Sequence, residues 1–340
     1  MPLTLTFQKF LKGLSGKHVL LLVHKAADVD CIASAAVLKN SLNDVQFTIG
    51  VPGYLNQHAL RLSESMKIKH ALNPVISDFA AVIVLDFNTP EMLGLQALEL
   101  EKFKKPIFII DHHSKTKDSL DFPNKSIIDP NAVSTTQIVF QILQELKIKV
   151  SAGNAVLLSA GIITDSNDLA IADSKTLQTL ASLLKICGKT VSEVQAVYEV
   201  PQDVSERIAS LKSAKRVMLF KAGDFLIALS QVSHFASNAA NSLISLGADL
   251  VIVGFSDNNG NAKLNARASE SFLKKTGIDL EKDILSKLER KFEGTSGGHE
   301  GAAGFSGIAK IDELFQESMI LIEDFLGSKG FREKIKELKD

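Results

Sequence analysis

The stretch "KPIFIIDHH" (residues 105–113) runs through four consecutive apolar residues into Asp111, His112 and His113. A strand with one face in solvent alternates apolar and polar side chains. A run that is apolar at every position instead indicates a strand that is buried on both faces. Such strands occur in parallel sheets that are covered by helices. The stretch therefore predicts a central strand of an α/β domain that ends in one acid and two imidazoles.

Similar apolar runs occur upstream, in "KHVLLLVH" (17–24), "DVQFTIGV" (44–51) and "AAVIVLDF" (80–87). They alternate with segments of helical character, such as residues 30–42 and 134–146. Alternation of strands and helices indicates βαβ units, whose strands form a parallel sheet. The first half of the chain is therefore predicted to be a parallel-sheet domain.

The second half has a different pattern, with apolar runs paired around turn residues at 216–231 and 248–269. These pairs predict β-hairpins, and the segment "GTSGGHEGAAGFS" (294–306) is interpreted as a Gly/Ala-rich loop. A chain of 340 residues exceeds what one core usually supports. We predict an α/β fold with two domains: a parallel-sheet domain over residues 1–190, a helical linker over 191–212 and a smaller α/β domain over 213–340.

Composition limits the classes of partner. A formal net charge of -1 gives no global positive field toward nucleic acid or membranes, so nucleic-acid binding would need a local patch. Cys31 and Cys187 form no C-x-x-C motif and no disulfide framework, which fits a reducing, cytoplasmic compartment. The run "VLLLV" (19–23) is too short to span a bilayer and has no small-residue cleavage site behind it, so no membrane partner is expected.

Acidic and imidazole side chains follow the apolar runs of the first half, at His24, Asp28, Asp30, Asp86, Asp111, His112, His113 and Asp165. The carboxyl ends of parallel strands share one edge of the sheet, where ligands bind. A single Asp in such a place is usually a helix cap, and a single His is usually structural. The joint pattern is different, because carboxylates buried close together repel each other unless a cation lies between them.

The charge count favours two divalent ions. Asp28, Asp30, Asp86 and Asp165 bring four negative charges beside two neutral imidazoles. Mixed carboxylate and imidazole ligands suit Mn²⁺, with Zn²⁺, Fe²⁺ and Co²⁺ as alternatives, better than Ca²⁺. Two such ions about 3.5–4 Å apart activate water and stabilise the attacking and leaving oxygens in phosphate-ester hydrolysis. The residues alone therefore predict a two-metal phosphoesterase.

Five motifs resemble those of a known superfamily. "HKAADVD" (24–30), "VLDF" (84–87), "DHH" (111–113) and "GIITD" (161–165) resemble, in order, the four motifs of the DHH phosphoesterases. "GGHEGAAG" (297–304) is similar to the signature of the DHH-associated C-terminal domain. That superfamily includes RecJ-type exonucleases, nanoRNase/pAp phosphatases, cyclic di-AMP phosphodiesterases and family II inorganic pyrophosphatases, the last of which carry a different C-terminal domain without the GGH signature. Ala27 and Ser296 depart from the pattern, where proline and glycine are common, but neither departure removes a ligand.

The resemblance implies two groups of metal ligands that share one bridging carboxylate: His24, Asp28 and Asp86 for one ion, and Asp30, Asp86, His112 and Asp165 for the other. It implies that His113 faces the scissile phosphate. It also implies that Asp111 is either a weak ligand or a residue just outside the ligands, and that it orients a neighbouring histidine, as ligand imidazoles usually require. "STT" (134–136) resembles a family segment, with helix capping as its first interpretation and a place at the edge of the site as its second.

Four residues of the C-terminal domain are expected to bind substrate: Arg267, Gly297, Gly298 and His299. Glycines let the backbone approach a ligand closely, and the arginine fork fits phosphate oxygens in pairs. The alternative is that the glycines form a tight turn and that Arg267 is a surface residue. Base stacking usually needs an aromatic side chain. The chain has no Trp, and His234 is one candidate.

The resemblance implies a phosphodiesterase or exonuclease that releases nucleoside monophosphates from short RNA or DNA oligonucleotides or from small nucleotides, as nanoRNases and pAp phosphatases do. The modest length and near-neutral charge favour this function over resection of long strands. The alternatives are a cyclic dinucleotide phosphodiesterase, a RecJ-type single-strand exonuclease, and a non-catalytic DHH-fold scaffold in a replication or repair assembly. A homodimer is also expected, because family members often dimerise.

Overall fold

The computed structural model describes residues 3–120, 126–201, 203–257, 260–331 and 334–338. The chain divides into two compact units, Met1–Val200 and Pro201–Asp340. Each unit has its own principal sheet and its own hydrophobic clusters. This is the predicted α/β fold, with a parallel-sheet N-terminal part and a separate C-terminal sheet.

The principal sheet of the N-terminal unit has six strands: β1 (His18–Leu22), β3 (Gln46–Val51), β5 (Ala71–Leu72), β6 (Ala81–Leu85), β7 (Ile107–Asp111) and β8 (Ser126–Ile128). All of its strand pairs are parallel, in the order β5-β3-β1-β6-β7-β8. Two short strands, β2 (Ala26–Ala27) and β4 (Tyr54–Leu55), form a separate parallel pair. The order places β1, β6 and β7 side by side in the middle of the sheet.

The helices of this unit are α1 (Leu3–Lys12), α2 (Val29–Ser41), α3 (Gln57–Ser65), α4 (Ala97–Lys102), α5 (Thr135–Glu145), α6 (Ala152–Asp165), α7 (Ser174–Cys187) and α8 (Val191–Tyr198). Several begin at side-chain caps that satisfy a free backbone N–H of the first turn, as Ser134 does for α5 and Ser151 for α6.

The middle strands are buried on both faces, as their continuous apolar sequence predicts. In β1, Val19 and Leu21 pack into the cluster that contains residues of α2, α5 and α6. Leu20 and Leu22 pack on the opposite face, in the cluster that contains Phe79. Burying one such side chain contributes about 1.5–3 kcal/mol. The helices and the double-sided core therefore hold the carboxyl ends of β1, β6 and β7 in fixed positions.

The C-terminal unit has a seven-stranded mixed sheet of β9 (Met218–Ala222), β10 (Phe225–Gln231), β11 (Leu250–Ser256), β12 (Asn261–Ala268), β13 (Glu293–His299), β14 (Ala302–Ile308) and β15 (Lys336–Leu338). Its order is β13-β14-β12-β11-β10-β9-β15, in which only β10 and β11 are parallel neighbours. The hairpins predicted at 216–231 and 248–269 are β9–β10 and β11–β12.

The helices of this unit are α9 (Val204–Lys215), α10 (Ala236–Ser245), α11 (Glu270–Thr276), α12 (Ser286–Leu288), which continues a π-helical turn at Leu280–Leu285, and α13 (Ile311–Ser328). Residues of α13 and α10 belong to different hydrophobic clusters, one on each face of the sheet. The segment predicted as a helical linker, 191–212, holds α8 and most of α9, which belong to different units.

The loop interpretation of residues 294–306 is wrong, because this segment forms the hairpin of β13 and β14. Its glycines serve close strand approach rather than flexibility. A Cβ on Gly294 would lie 2.6 Å from the carbonyl oxygen of Ser306, and one on Gly307 would lie 2.3 Å from that of Glu293. The high glycine content therefore has a packing cause that composition alone does not distinguish from a loop.

Candidate metal and phosphate site

Strand ends bring the predicted histidines and acids to one edge of the N-terminal sheet. Asp86 directly follows β6, and Asp111 is the last residue of β7, with His112 and His113 after it. His24 lies two residues beyond the end of β1. Because β1, β6 and β7 are parallel neighbours, these side chains meet at the shared carboxyl edge.

Helix ends add the remaining acids to the same cluster. Asp28 is the N-cap of α2 and accepts a hydrogen bond from the backbone N–H of Cys31 at 3.1 Å. Asp30 lies in the first turn of α2 and is buried, and Asp165 is the last residue of α6. The structure thus brings together all six residues that the sequence suggests as metal ligands.

The six residues form two groups that share Asp86. In the first group, Nε2 of His24 lies 3.5 Å from Oδ2 of Asp28 and 3.9 Å from Oδ2 of Asp86. In the second, Nε2 of His112 lies 3.4 Å from Oδ1 of Asp86 and 3.4 Å from Oδ2 of Asp165, with Asp30 in the same group. Within each group the ligand atoms lie within 4.8 Å of one another, a spacing that one cation per group would satisfy.

Three of the four carboxyl groups in this cluster, those of Asp30, Asp86 and Asp165, resist ionisation in the absence of a cation. Burial, with the charge of Asp165, raises the pKa of Asp30 to about 7. Burial and the charges of Asp30 and Asp28 raise the pKa of Asp86 well above its usual range, and burial also raises the pKa of Asp165. Desolvation and mutual repulsion are the expected consequences of packing carboxylates together. A bound cation would reverse both effects.

His112 has the surroundings of a metal ligand. Its Nδ1 lies 3.3 Å from the carbonyl oxygen of Ala132, a contact of the kind that fixes the tautomer of ligand imidazoles. Its Nε2 is buried between two carboxylates, yet makes no well-directed hydrogen bond within the part of the chain that the structure describes. Burial lowers the pKa of His112, but Asp165 and Asp30 outweigh burial and raise it to about 9. The metal-free imidazole is therefore cationic, and a metal would displace its proton.

A buried thiol, which the sequence interpretation did not include, lies in the first group. Cys31 belongs to the same cluster as His24, Asp28 and Asp86. Burial, together with the charges of Asp28 and Asp86, raises the pKa of its thiol well above the usual range. Asp28 itself behaves differently: burial opposes its ionisation, but hydrogen bonds from His24 and Cys31 prevail, and its pKa is lowered. Taken together, the donors of both groups fit divalent cations of the Mn²⁺ and Zn²⁺ type.

The start of α5 supports the two carboxylates at the centre of the cluster. Asp30 accepts hydrogen bonds from the backbone N–H groups of Thr135 (2.6 Å) and Thr136 (2.9 Å). The hydroxyl of Thr136 also donates to Asp30 (2.5 Å), and that of Thr135 donates to Asp86 (2.8 Å). Ser134 caps the helix by accepting from Gln137 at 3.2 Å. The segment "STT" therefore serves both as a cap and as an edge of the site.

Asp111 is buried and holds His113 rather than lying in the ligand cluster. Its Oδ1 lies 2.8 Å from Nδ1 of His113, whose side chain is 56% exposed. Its Oδ2 accepts a hydrogen bond from the side-chain amide of Asn88 at 2.7 Å. Asn88 was missed from the sequence, since an Asn two residues beyond Asp86 carries no signal of its own. The arrangement leaves Nε2 of His113 directed away from its anchor.

Gly161 is a second missed residue. A Cβ at this position of α6 would lie 2.5 Å from Oδ1 of Asp30 and 2.5 Å from Oγ1 of Thr136. Glycine is therefore needed for α6 to pack closely against the carboxylate of Asp30. A glycine within a buried apolar helix is the sequence signal for such a contact.

Asp86 has a left-handed backbone, with φ at 67°. Non-glycine residues seldom adopt this conformation, although Asp and Asn tolerate it better than most. Such strain is common where a side chain must be aimed in one direction. At Asp86 it lets the chain turn immediately after β6, with the carboxylate inside the cluster.

In the C-terminal unit, Arg267 lies on β12 with its guanidinium fixed by neutral groups. Its Nε donates to Oδ1 of Asn241 at 3.1 Å, and its Nη2 donates to Oγ of Ser237 at 2.7 Å. Arg267 takes part in none of the ion pairs found among the described residues. Its charge is thus oriented and uncompensated, which is the condition of an anion-binding arginine.

His299 shares a face of the sheet with Arg267. Both residues pair with Ala302 across neighbouring strands, and directly opposed residues project to the same face. Gly298 has φ at 145°, and a Cβ there would lie 2.4 Å from the carbonyl oxygen of Ala302. A Cβ on Gly297 would meet nothing within 4 Å. The tight backbone therefore accounts for Gly298 but not for Gly297, where the open space fits a closely approaching ligand.

A family model described as "DHH family, N-terminal domain" matches residues 18–162. An uncharacterized protein of Methanocaldococcus jannaschii is 28% identical over 340 residues, which cover 97% of this chain and 99% of that protein. The cyclic-di-AMP phosphodiesterase GdpP of Bacillus subtilis is 24% identical over 250 residues, which cover 67% of this chain but 37% of GdpP.

Among solved structures, an exopolyphosphatase-related protein of Bacteroides fragilis aligns over 96% of this chain and 97% of its own, with a TM-score of 0.63 and 17% identity. At that identity the likeness supports the fold alone. The parallel sheet and the acid and imidazole cluster at its edge define the class of α/β phosphoesterases. The family match confirms, over residues 18–162, the resemblance to DHH phosphoesterases seen in the motifs of that segment.

Proposed function

We propose that this phosphoesterase hydrolyses phosphodiester bonds in short oligonucleotides or small nucleotides and releases nucleoside monophosphates, as nanoRNases and pAp phosphatases do. The observation that carries the proposal is the six-residue cluster with the exposed His113 beside it, held by a buried Asp111. A reacting phosphate at this edge would meet the cluster and His113 together, because His112 and His113 are consecutive and their rings lie 4.3 Å apart.

His24, Asp28 and Asp86 would hold one divalent ion, and Asp30, Asp86, His112 and Asp165 would hold the other. When bound, two such ions supply Lewis acidity and lower the pKa of water. The protein keeps Asp30 and Asp86 in place through Thr135 and Thr136, so their oxygens need no rearrangement when substrate arrives.

His113 would bind the phosphate that reacts. Asp111 accepts the hydrogen bond from Nδ1 of His113, which fixes the ring and directs Nε2 outward. In its cationic form, the imidazole presents an N–H at Nε2 to a phosphate oxygen and stabilises the negative charge that develops there. Asn88 prevents rotation of Asp111 and so keeps this pair aligned.

Arg267, His299 and the open backbone at Gly297 would bind a second phosphate, one that does not react. Both pAp and short oligonucleotides carry such a second phosphate. With a formal net charge of -1, the chain has no broad positive field to attract long strands. These features favour small substrates over long nucleic acids.

A cyclic dinucleotide is the second candidate substrate, because the relative GdpP is named as a cyclic-di-AMP phosphodiesterase. Such a ligand also carries two phosphates and would suit the same contacts. A non-catalytic scaffold is less favoured, since every expected ligand position is occupied by an Asp or a His.

The test is hydrolysis, with Mn²⁺ and then with EDTA, of pAp, RNA and DNA from about 2 to 24 nucleotides, cyclic di-AMP and pyrophosphate. Mn²⁺-dependent release of mononucleotides, fastest on the shortest strands, is expected. Preference for cyclic di-AMP would establish the second candidate, and undiminished rates on long DNA would indicate a RecJ-type exonuclease. No turnover on any substrate, with metal bound, would refute the proposal.

Asp86→Asn provides the matching prediction for the site. Removing the shared carboxylate should lower kcat by about 10³-fold or more, because both ligand groups lose a member. A buried Asn keeps the size of the side chain, so circular dichroism should remain unchanged. Activity within about tenfold of wild type would contradict the assigned role of Asp86.

Among the described residues, no helix is both long and apolar enough to cross a bilayer. The cytoplasmic location and the homodimer remain predictions, and size-exclusion chromatography with light scattering measures the second directly.

A further inference from the structure

A cavity of about 230 Å³ lies in the C-terminal unit. Neither Arg267 nor His299 lines it, nor do the residues that contact them as described above. One face of α9 and its C-cap residue form a wall of the cavity, with Ile208, Lys212 and the C-cap Arg216 spaced four residues apart. The segment that joins β10 to α10 forms another wall, through Val232, His234 and Phe235. With Ala209, the lining therefore combines four apolar side chains with three basic ones, and two serines complete it.

The basic side chains of the cavity have no acidic counterpart. Lys212, Arg216 and His234 are exposed and belong to none of the ion pairs among the described residues, and no Asp or Glu lines the cavity. Basic residues at the end of a helix often serve only its dipole. Lys215, in the same last turn, does not line the cavity and provides a comparison for that simpler explanation. The convergence of the other three fits an anion.

The apolar wall includes a residue with backbone strain. Phe235 has φ at 58°, and its side chain is 39% exposed. An aromatic residue in the left-handed region is a true outlier, and such strain is common at ligand sites. Phe235 and the adjacent His234, whose ring centroid lies 5.9 Å from that of Phe255, offer aromatic surface next to the cations. A planar ring that carries an anionic group matches both parts of the lining.

The cavity and Arg267 lie at the same end of α10. Arg267 binds Ser237, in the first turn of α10, two residues after Phe235. We infer that the cavity is a nucleotide subsite in which Lys212, Arg216 and His234 bind a phosphate while Phe235, Ile208 and Val232 contact the base. That the ligand is part of a substrate rests on the proposed function. That the ligand is an anion with a planar ring rests on the residues that line the cavity.

The test is fluorescence anisotropy with N-methylanthraniloyl-AMP, on the full chain in EDTA so that no turnover occurs. The protein has no Trp, so no tryptophan emission interferes with the probe. The double variant Lys212→Ala/Arg216→Ala should weaken binding by about tenfold or more, because two charge-assisted contacts are lost. The matched control Lys215→Ala, on the same helix end, should remain within about twofold.

The variant Phe235→Gly distinguishes the contribution of the aromatic ring to binding from its contribution to stability. Glycine adopts φ at 58° without strain, so this variant should keep or raise the melting temperature while probe binding weakens. Adenosine and inorganic phosphate, added as competitors, test separately whether the cavity binds the base and whether it binds the phosphate. Both should displace the probe weakly, and displacement by phosphate alone would overturn the contact with the base.

Wild-type affinity in the double variant, an equal loss in Lys215→Ala, or no probe binding to wild type would each overturn the subsite. Loss in Arg267→Ala with none in the double variant would do the same, since binding would then belong to the other phosphate contacts. The readout does not require hydrolysis. A chain that binds the probe as expected but hydrolyses no substrate would refute the proposed reaction and leave the subsite standing.

Discussion

Asn88 illustrates how one side chain sets the orientation of an imidazole ring with which it makes no hydrogen bond. It donates to Asp111 at 2.7 Å and to the carbonyl oxygen of His113 at 3.1 Å, and it accepts from the hydroxyl of Ser119 at 2.9 Å. Asp111 in turn holds His113. Loss of Asn88 would free both members of the pair at once.

Asn88→Ala should therefore lower kcat by about 10–100-fold while the affinity for Mn²⁺ stays near wild type. The reason is that His113 loses its alignment, whereas none of the six ligands is touched. Kinetics of phosphodiester hydrolysis and calorimetric titration of Mn²⁺ measure the two effects. Ser119→Ala, which removes the hydrogen bond to Asn88 and two contacts with Thr116 but leaves the Asn88–Asp111 bond intact, is the control with a smaller loss. A matching fall in Mn²⁺ affinity would argue against a positioning role.

Gly161 makes a second prediction at the residue scale. Gly→Ala in a helix usually stabilises, but a Cβ here would meet Asp30 and Thr136 at 2.5 Å. Gly161→Ala should therefore destabilise the protein by about 1–3 kcal/mol and weaken Mn²⁺ binding. Gly153→Ala, on the same helix with nothing within 4 Å of the new Cβ, is the matched control. It should stabilise by about 0.5 kcal/mol. Urea unfolding measures both, and equal effects would contradict the packing argument.

The site residues at strand ends could be predicted from the sequence, whereas the residues that support them could not. Asp86 and Asp111 follow apolar runs, so their convergence follows from the parallel sheet. The roles of Asn88 and Cys31 could not be predicted, because side-chain packing brings them to their partners and the direction of the strands does not indicate it. Thr135 lies between these cases: its cap motif was visible, but its bond to Asp86 was not.

At the scale of elements, the hairpin of β13 and β14 gives two adjacent glycines different tasks. Gly298 needs its positive φ and has backbone atoms within 2.5 Å of a new Cβ, whereas Gly297 faces open space. Because both are exposed, neither contributes to the core. The pair therefore separates a fold requirement from a ligand requirement within two residues.

Gly298→Ala should lower stability by about 1–3 kcal/mol, through backbone strain. Gly297→Ala should leave stability within about 0.5 kcal/mol and raise the KM for substrates with two phosphates, since the methyl group occupies the space of the ligand. Thermal unfolding and steady-state kinetics distinguish the two variants. An unchanged KM in Gly297→Ala would remove Gly297 from the phosphate contacts.

The parallel strands were predictable because burial on both faces removes the alternation of polar residues. The β13–β14 hairpin was not, because its glycines and alanines have almost no side chain and hence no periodic pattern. The ladder with β12, in which Leu264 pairs with Phe305 and Ala266 with Ala303, fixes β14, and β13 pairs with β14 in turn. That ladder is a long-range interaction, and local sequence carries little information about it.

At the scale of the whole molecule, the cluster links stability to pH. A carboxyl whose pKa is higher in the folded state binds its proton more tightly there, so stability falls as pH rises. For Asp30 this loss of stability extends from pH 3.8, the pKa of an ordinary Asp, to about pH 7, its pKa in the folded protein. His112 stabilises the fold fully below 6.5, and this contribution disappears as pH rises through about 9. Both effects have the same sign.

The metal-free protein should therefore melt at progressively lower temperature between about pH 5 and pH 8.5. Mn²⁺ should raise the melting temperature most at the upper end, because its ligands are then deprotonated. Differential scanning calorimetry in EDTA and in Mn²⁺ measures both slopes. His112→Gln should flatten the upper part of the metal-free curve. A metal-free melting temperature that rises with pH would contradict the assigned electrostatics.

The left-handed backbone at Asp86 also constrains how this position can evolve. The cluster requires a negative charge on the side chain at this position. The main chain requires a conformation that Gly, Asn and Asp adopt most readily. A descendant that abandoned hydrolysis would escape the first constraint but not the second. Substitutions fixed there should then be Asn or Gly well before Ala or Val. A relative with Asn at this turn would retain the geometry of an enzyme after losing its chemistry.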